Sequence, residues 1–495
     1  MMSRALRDAR MYEEINEKKI SREERPDFHL SSRVGWMNDP NGFSYYDGKY
    51  HLFYQYNPYE SKWGPMHWAH AVSGDLIHWD YMPAAMAPDQ NYDNGGCFSG
   101  GATVLDDGRH LLMYTGVQKE ELSDGKTWEF QTQCIAVGDG TDYVKYDNNP
   151  VIAADKLPEG CSRFDFRDPK IWKDKDGYFY CVVGNRPADG SGQILLFVSE
   201  DGFEWNFKSV LAENKNRFGK MWECPDFFEL NGKWVLLVSP QFMLPKGLEY
   251  HNGNGTLCLI GDYDKQFGTF VEKTDQAIDY GIDFYAPQTI MTPDGRRVMI
   301  GWMQNWDTCS IRSQEELWFG QMSIPRELQI KNGRLYQYPI REVEKMRRNK
   351  VEYKNVSFTD SIKLDRISGR RIDLEITVRA VDGEELFRRF AVRFAQDEQY
   401  YTSFSFKAYE SVLKIDRKFS GSTRAIVHQR RSKVAWSKKK LKFRIILDRF
   451  SAEIFVNDGQ QVFTTTIYTD QSAEGITFLA DGKVNMDVTK YDLIS

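Results

Sequence analysis

The stretch Asp47-Gly48-Lys49-Tyr50-His51-Leu52-Phe53-Tyr54 places an Asx-Gly turn directly before an apolar strand. Asx-Gly is the strongest short-range hairpin signal, because a type I′ turn needs positive φ at both central residues. The same unit recurs through the first 300 residues, with turns at Asp47-Gly48, Asp107-Gly108, Asp176-Gly177, Asn231-Gly232 and Asp294-Gly295. Successive turn glycines are 60, 69, 55 and 63 residues apart. A unit of this length holds four short strands, and radial repetition of such units predicts a five-bladed β-propeller.

Residues at equal phase in the five units are expected to meet around one central channel. Counting back eight positions from each Asx gives three acids and two uncharged residues, namely Asp39, Ser99, Asp168, Glu223 and Ala286. A proline follows each acid within two residues, and proline belongs at strand starts or edges because it cannot donate to a ladder. The acids are therefore predicted at the channel mouth, where mutual repulsion raises at least one carboxyl pKa, as glycoside hydrolysis uses. A calcium site built from the same acids is a weaker alternative, because no EF-hand-like spacing occurs.

The repeat ends near residue 330, and the rest of the chain has another strand pattern. Alternating polar and apolar residues at 371–378 and 441–448 indicate sheets with one solvated face. The sequence therefore predicts an all-β protein, a five-bladed β-propeller followed by a C-terminal β-sandwich. Its predicted parts are a charged, helical N-terminal segment (1–27), the propeller with the site (28–335), a linker (336–351) and the sandwich (352–495).

Composition and charge argue against several classes of protein. The net charge is −6, and the basic run at 430–444 is interleaved with apolar residues, which indicates a solvated strand face rather than a nucleic-acid patch. No segment approaches the roughly 20 apolar residues of a membrane-spanning helix. Seven widely spaced cysteines without a CxxC motif, and a charged N-terminus without an apolar secretory segment, predict a cytoplasmic protein with reduced thiols. No nucleic-acid or membrane partner is predicted, and a homodimer is left open.

The segments around the three acids resemble the motifs of glycoside hydrolase family 32, the β-fructofuranosidases, which include invertases and sucrose-6-phosphate hydrolases. The matching segments are 36–42, 53–58, 63–68, 98–100, 167–169, 223–224, 283–286 and 320–328, in order along the chain. The region 445–463 is similar to the sandwich of that family. The resemblance implies the same architecture as the repeat count, a five-bladed propeller followed by a sandwich.

By this resemblance, Asp39 is the nucleophile, Glu223 the acid/base and Asp168 the transition-state stabiliser. The family implies retaining hydrolysis through a covalent fructosyl-enzyme, a mechanism that needs no metal or organic cofactor. The expected contacts of the small-molecule sugar substrate are Trp36, Asn38, Gln55, Trp63, Phe98, Ser99, Arg167, Tyr285 and Trp302. Tyr285 and Trp302 are weaker candidates, and Tyr285, which precedes the equal-phase Ala286, is expected to face away from the channel. Cys224 is interpreted as a packed thiol, and Trp63 has a core-filling role as its alternative.

The expected substrate carries a terminal non-reducing β-D-fructofuranosyl group, with sucrose or sucrose 6-phosphate preferred. A fructosyltransferase or a fructan exo-hydrolase would use the same site, and sequence hardly separates them from a sucrose hydrolase. An inverting five-bladed glycosidase is a rival that the 36–42 motif disfavours. A catalytically inactive carbohydrate-binding propeller is a remote alternative, because all three acids are present.

Overall fold

The computed structural model describes residues 2–121, 125–309, 316–421, 426–436 and 440–494. Helix α1 (Arg4–Glu17) begins after Ser3, whose hydroxyl accepts a hydrogen bond from the Leu6 amide. Within the described residues, no helix has the length and apolarity needed to cross a membrane. Short 3₁₀ helices follow at Arg22–Glu24, Asn91–Asp93, Ala154–Lys156 and Arg341–Met346.

Five sheets follow α1, each containing four antiparallel strands taken in chain order. The first contains β1 (Gly35–Tyr46), β2 (Lys49–Asn57), β3 (His67–Ser73) and β4 (Trp79–Met86), and the second β5 (Gly96–Val104), β6 (His110–Glu121), β7 (Thr127–Gly138) and β8 (Tyr143–Lys145). The third contains β9 (Cys161–Lys173), β10 (Phe179–Pro187), β11 (Gln193–Ser199) and β12 (Asn206–Glu213), and the fourth β13 (Trp222–Leu230), β14 (Lys233–Pro240), β15 (Leu257–Asp264) and β16 (Thr269–Ala277). The fifth begins with β17 (Tyr285–Met291) and β18 (Arg297–Trp302), and after β19 (Trp318–Phe319) it continues with β20 (Arg326–Lys331) and β21 (Arg334–Pro339).

The first strands of the five sheets form a closed ring. Strand β1 contacts β5, and contacts continue from β5 to β9, from β9 to β13, from β13 to β17 and from β17 back to β1. Strand β19 adds to the first sheet, pairing parallel to β1 with Gly35 opposite Trp318, and so ties the end of the ring to its start. The five-bladed propeller predicted from the repeat is therefore confirmed, with the first strand of each blade innermost.

The C-terminal strands form a sandwich-like second unit. They are β22 (Arg347–Ile362), β23 (Ile372–Ala380), β24 (Arg389–Gln396), β25 (Thr402–Lys407), β26 (Val412–Asp416), β27 (Gln429–Lys433), β28 (Lys440–Asp448), β29 (Ser451–Val456), β30 (Gln461–Thr466) and β31 (Gly475–Leu493). The long strand β31 pairs with β24 through its first half and with β23 through its second half. Aromatic rings from different strands of this unit meet in its core: Phe443 on β28 contacts Phe390 on β24 and Phe404 on β25. Residues 336–351, predicted as a linker, contain the end of β21, a 3₁₀ helix and the start of β22.

All five Asx-Gly sites form hairpin loops, but only two have the turn geometry that we predicted. Both central residues have positive φ at Asp47-Gly48 (44° and 75°) and at Asn231-Gly232 (50° and 72°). At the other three sites only the glycine has positive φ, and the loop contains three residues, as at 175–177, where the Asp174 amide donates to the Tyr178 carbonyl. Glycine at the left-handed position suits both kinds of loop.

A buried cluster of charges joins the propeller to the sandwich. The guanidinium of Arg326 on β20 donates to Glu453 on β29 at 2.6 and 3.1 Å and to Asp279 at 3.0 Å. The ring of His29 lies between Asp448 at 2.8 Å and Glu453 at 3.1 Å. Burial alone would lower the pKa of His29, but hydrogen bonds and charge attraction from these two carboxylates outweigh it and raise that pKa to about 9.

Candidate active site

The starts of the five innermost strands carry two adjacent rings of side chains rather than one. In the third, fourth and fifth blades, the last paired residues before the loop between the first two strands are Asp174, Leu230 and Thr292. Counting back six positions from each of them gives Asp168, Cys224 and Ala286. These three residues share positive φ values of 68°, 48° and 51°, and each precedes a proline in a local register shift. They therefore occupy one phase.

The predicted equal phase is consequently wrong for Glu223. The loop at 231–232 has two residues, whereas the loops at 175–177 and 293–295 have three. Counting back eight positions from Asn231 therefore goes one residue too far toward the N-terminus and reaches Glu223 instead of Cys224. Asp39 keeps the phase because β1 has a second register shift, between Asn41 and Ser44, that absorbs the difference. We call the two sets the inner-phase ring (Asp39, Ser99, Asp168, Cys224, Ala286) and the preceding ring (Asn38, Phe98, Arg167, Glu223, Tyr285).

Asp39 is held at one oxygen and free at the other. The Ser99 hydroxyl donates to Oδ2 at 2.7 Å and the Cys224 thiol contacts the same atom at 3.4 Å. Oδ1 is buried and has no hydrogen-bond partner in the described chain. Burial and the charge of Glu223 raise the pKa of Asp39 to about 6, although hydrogen bonds from Ser99, Asn38 and Cys224 act against that rise.

Asp168 is fixed by backbone contacts to neighbouring blades. Its amide donates to the Thr115 hydroxyl at 2.9 Å, and its Oδ2 accepts from the Cys224 amide at 3.0 Å. Burial and the charge of Glu223 raise the pKa of Asp168 to about 7, against the lowering effect of Arg167. Two acids of the inner-phase ring therefore bind protons more readily than ordinary aspartates.

Glu223 has a different environment from the two aspartates. Arg167 donates to its Oε1 through Nε at 3.0 Å and through Nη2 at 2.9 Å. The Tyr285 hydroxyl contacts Oε2 at 2.7 Å and also the Ser239 carbonyl at 3.0 Å. The expectation that Tyr285 faces away from the channel is wrong, because Tyr285 shares the phase of Arg167 and Glu223.

Aromatic side chains cover one side of the acids. Trp36 stacks on Phe319 with ring centroids 4.8 Å apart, and it contacts Trp302 at 5.9 Å and Trp306 at 6.4 Å. Its indole N–H donates to Asn38 Oδ1 at 2.7 Å, which orients the Asn38 amide toward Asp39. The Trp302 indole nitrogen is buried without a partner in the described residues. Trp36, Asn38 and Trp302, three of the expected sugar contacts, thus lie together.

The remaining predicted contacts lie nearby but differ in exposure. Trp63 is 44% exposed and meets the ring of Phe98 edge-on at 6.0 Å, so its alternative role as a core filler is wrong. Gln55 is buried, and its side-chain amide donates to the carbonyl of Cys97 at 2.9 Å. Cys97 lies two residues before Ser99 on β5. Phe98 precedes Ser99 on β5 and connects the exposed Trp63 with the acids.

Several residues of the site escaped the sequence analysis. Thr115 on β6 and Ser239 on β14 accept the amides of Asp168 and Ala286 at 2.9 and 3.0 Å, at equivalent positions of two blades. Gln131 on β7 accepts from the Phe166 amide at 2.9 Å and from Arg167 at 3.4 Å. These residues lie on second and third strands and follow no motif, so sequence alone offered no signal for them. Cys224 is buried, as expected of a packed thiol, but it also contacts Asp39 and Asp168.

The site has no metal-binding arrangement in the part of the chain that the structure describes. Across those residues, no group of three or more His, Cys, Asp and Glu side chains could hold a metal ion. A cation site would surround the ion with oxygen ligands. Here, in contrast, an arginine and a tyrosine lie beside Glu223, and hydrogen-bond donors lie beside Asp39. Fold and site together define a propeller glycoside hydrolase with clustered carboxylates.

Comparison with known proteins identifies the family. Residues 29–339 match the model of the glycosyl hydrolases family 32 N-terminal domain, and residues 342–494 match that of the family 32 C-terminal domain. The chain belongs to glycosyl hydrolases family 32. It is 35% identical to the raffinose invertase of Escherichia coli, covering 93% of this chain and 94% of that protein, and 36% identical to the sucrose-6-phosphate hydrolase of Escherichia coli, covering 92% and 91%.

Solved structures agree with this assignment. The family 32 β-fructofuranosidase of Bombyx mori superposes with a TM-score of 0.83 at 34% identity, covering 99% of this chain and 98% of that one. A mutant of that protein in complex with sucrose gives a TM-score of 0.84, also at 34% identity, with coverage of 100% and 99%. The sucrose-6-phosphate hydrolase of Lactobacillus gasseri gives 0.83 at 28% identity, with coverage of 100% and 97%.

Proposed function

We propose that this protein is a retaining β-fructofuranosidase that hydrolyses terminal non-reducing β-D-fructofuranosides, with sucrose or sucrose 6-phosphate as its substrate. The observation that carries the proposal is the pairing of two unlike carboxylates at one mouth. Asp39 has neutral donors and a free oxygen, whereas Glu223 has an arginine and a tyrosine. A retaining glycosidase needs this division between a nucleophile and an acid/base.

Asp39 is the proposed nucleophile. Ser99 and Cys224 fix Oδ2, so the partnerless Oδ1 is the oxygen available to attack the anomeric carbon. Attack forms a fructosyl ester on Asp39 and breaks the bond to the leaving oxygen, and water then releases fructose with retained configuration. The raised pKa of Asp39 predicts that activity falls as pH drops through about 6, because only the ionised carboxylate attacks.

Glu223 is the proposed acid/base, and Tyr285 can serve both of its protonation states. When Glu223 is ionised, the Tyr285 hydroxyl donates to Oε2 at 2.7 Å. When Glu223 carries a proton, the same hydroxyl can accept from it and donate instead to the Ser239 carbonyl at 3.0 Å. Glu223 therefore gives its proton to the leaving oxygen, and later takes one from water, without losing a partner.

Asp168 is the proposed stabiliser of the transition state. Its contacts with Thr115 and Cys224 hold the carboxylate in place near the other two acids. A fixed carboxylate there stabilises the positive charge that develops on the fructosyl ring and accepts hydrogen bonds from its hydroxyls. Arg167, with a pKa that the three neighbouring acids raise further, keeps the net charge of the cluster down.

The choice between sucrose and sucrose 6-phosphate rests on the activities named for the relatives, which include both an invertase and sucrose-6-phosphate hydrolases. Fructosyl transfer and exo-hydrolysis of fructans share the same intermediate and differ in the acceptor or in the leaving chain. A homodimer and a cytoplasmic location stay predictions.

The test compares hydrolysis of sucrose, sucrose 6-phosphate and inulin by the wild type and by Asp39→Ala and Glu223→Ala. We expect each variant to lose at least about a hundredfold in kcat on the preferred substrate. Asp262→Asn, which changes an exposed carboxylate on β15, is the control and should keep full activity. NMR of the first fructose anomer released identifies retention. Unchanged turnover in either alanine variant, or an inverted first product, would refute the mechanism, and faster cleavage of inulin would refute the substrate assignment.

A further inference from the structure

A cluster of three aromatic rings, two of them exposed and one half-buried, lies outside the acids and their aromatic wall. Trp128 and Phe130 on β7 meet Phe164 on β9, with centroids 5.0 and 5.4 Å apart, and they lie 6.1 Å from each other. Trp128 is 41% exposed and Phe164 is 40% exposed. Exposed aromatic side chains grouped in this way are typical of binding surfaces, because leaving them in water is unfavourable.

Strand pairing places this aromatic cluster on the mouth side of the acids. In the β6–β7 hairpin, Gln133 lies opposite Thr115, the residue that accepts the Asp168 amide. The next residues outward are Gln131, which accepts from Arg167, and then Phe130 and Trp128. Trp128 lies three positions before Gln131 along the extended strand, a distance of about 10 Å. The hairpin therefore projects beyond the acids by roughly the length of a short oligosaccharide segment.

Polar groups connect the aromatic cluster to the acid/base. Asp165, next to Phe164, accepts from Arg167 at 2.8 Å and pairs with Arg186 at 2.5 Å, and Arg167 in turn contacts Glu223 at 2.9 Å. A surface of aromatic rings edged by a few fixed polar groups matches the composition of small-ligand sites. Arg167 therefore links Glu223, the proposed donor to the leaving group, with Asp165, the neighbour of Phe164.

We propose that Trp128, Phe130 and Phe164 form a distal platform for the leaving portion of the substrate, binding the second sugar ring beyond the scissile bond. The proposal rests on the proposed fructosidase function and specifies its substrate class. It predicts that the cluster contributes to turnover of trisaccharides, whose leaving portion is a disaccharide, and not to turnover of sucrose, whose leaving portion is a single ring. A second copy of this chain is the competing occupant for an apolar surface, and the test separates the two.

The test measures kcat/KM for sucrose, raffinose and 1-kestose with Trp128→Ala and Phe164→Ala. We expect each variant to lose about threefold to tenfold on the trisaccharides, as loss of an aromatic contact does, and less than twofold on sucrose. Phe207→Ala is the matched control, since Phe207 is 37% exposed on β12 of the same blade as Phe164 and lies outside the cluster. Sucrose turnover in each variant also reports that the protein is folded.

Two results would overturn the platform. Equal losses on sucrose and trisaccharides, or no loss on either, would show that the cluster does not contact the leaving portion. Light scattering that finds a wild-type dimer and monomeric Trp128→Ala would assign the cluster to contact between copies. A failure of the proposed function looks different, because the wild type would then cleave none of the three sugars.

Discussion

Replacing Ser99 with alanine should shift the pH dependence of activity in a defined direction. The Ser99 hydroxyl donates to Asp39 Oδ2 at 2.7 Å, and the other oxygen of Asp39 has no partner in the described residues. A donor stabilises the ionised carboxylate and therefore lowers its pKa. Removing the donor should raise the pKa of Asp39 above its present value of about 6 and move the acid limb of activity to higher pH.

The size of the shift follows from the strength of the bond. Hydrogen bonds to charged groups contribute about 1.5–3 kcal/mol, and one pKa unit corresponds to about 1.4 kcal/mol. The Ser99→Ala variant should therefore show its acid limb about 1–2 pH units higher. Because the three carboxylates interact, the measured limb belongs to the group as a whole, and the direction of the shift is the sharper result.

The assay is kcat/KM on sucrose across about pH 4 to 9, since this parameter reports the ionisation of the free enzyme. Ser239→Ala is the matched control, because its hydroxyl accepts the Ala286 amide at 3.0 Å in the same ring of residues but serves no acid. Ser239→Ala should leave the limb in place. A uniform fall in activity of Ser99→Ala without movement of the limb would refute the reasoning and leave Ser99 as a substrate contact alone.

Three further predictions concern other parts of the molecule. Tyr285→Phe removes the hydroxyl that contacts Glu223 Oε2 at 2.7 Å, so kcat on sucrose should fall about tenfold or more, and an unchanged kcat would contradict the role of the hydroxyl. Arg326→Met leaves buried carboxylates unpaired and should lower the free energy of unfolding by about 3–5 kcal/mol in urea titrations. Arg341→Met, which removes an exposed guanidinium and leaves Glu327 paired with Arg296, should cost about 1 kcal/mol or less. Burial lowers the pKa of His51 to about 4, so stability should fall as pH drops from about 6.5 toward 4, and His51→Gln should lower the pH midpoint of acid unfolding measured by circular dichroism.

The number of blades could be predicted from sequence because each blade begins with the same local event, a tight hairpin after the innermost strand. Glycine marks that event in both two-residue and three-residue loops, so the count was insensitive to loop type. The phase did depend on loop type, which is why the count assigned Glu223 to the ring that Cys224 occupies. A local register shift in β1, invisible in sequence, kept Asp39 in the predicted phase.

The supporting residues of the site could not be predicted for a different reason. Thr115, Gln131 and Ser239 lie on strands that face the site only after neighbouring blades pack together. Their positions are set by contacts between residues from about 35 to about 55 positions apart in the chain, and no local pattern encodes such pairs. The family motifs could identify the acids, but the packing of adjacent blades decides which donors each acid receives.

The one-residue offset of Glu223 has a physical consequence for the whole site. At the position of Cys224, a glutamate would lie in the same ring as Asp39 and Asp168, whose contacts within that ring are a hydroxyl, a thiol and a backbone amide. Three carboxylates with only neutral donors would repel strongly and share their protons. One residue earlier, Glu223 instead joins the ring that contains Arg167 and Tyr285. The offset therefore gives the proposed acid/base a charge environment different from that of the proposed nucleophile, and this difference would let the two carboxyl groups take different roles at one pH.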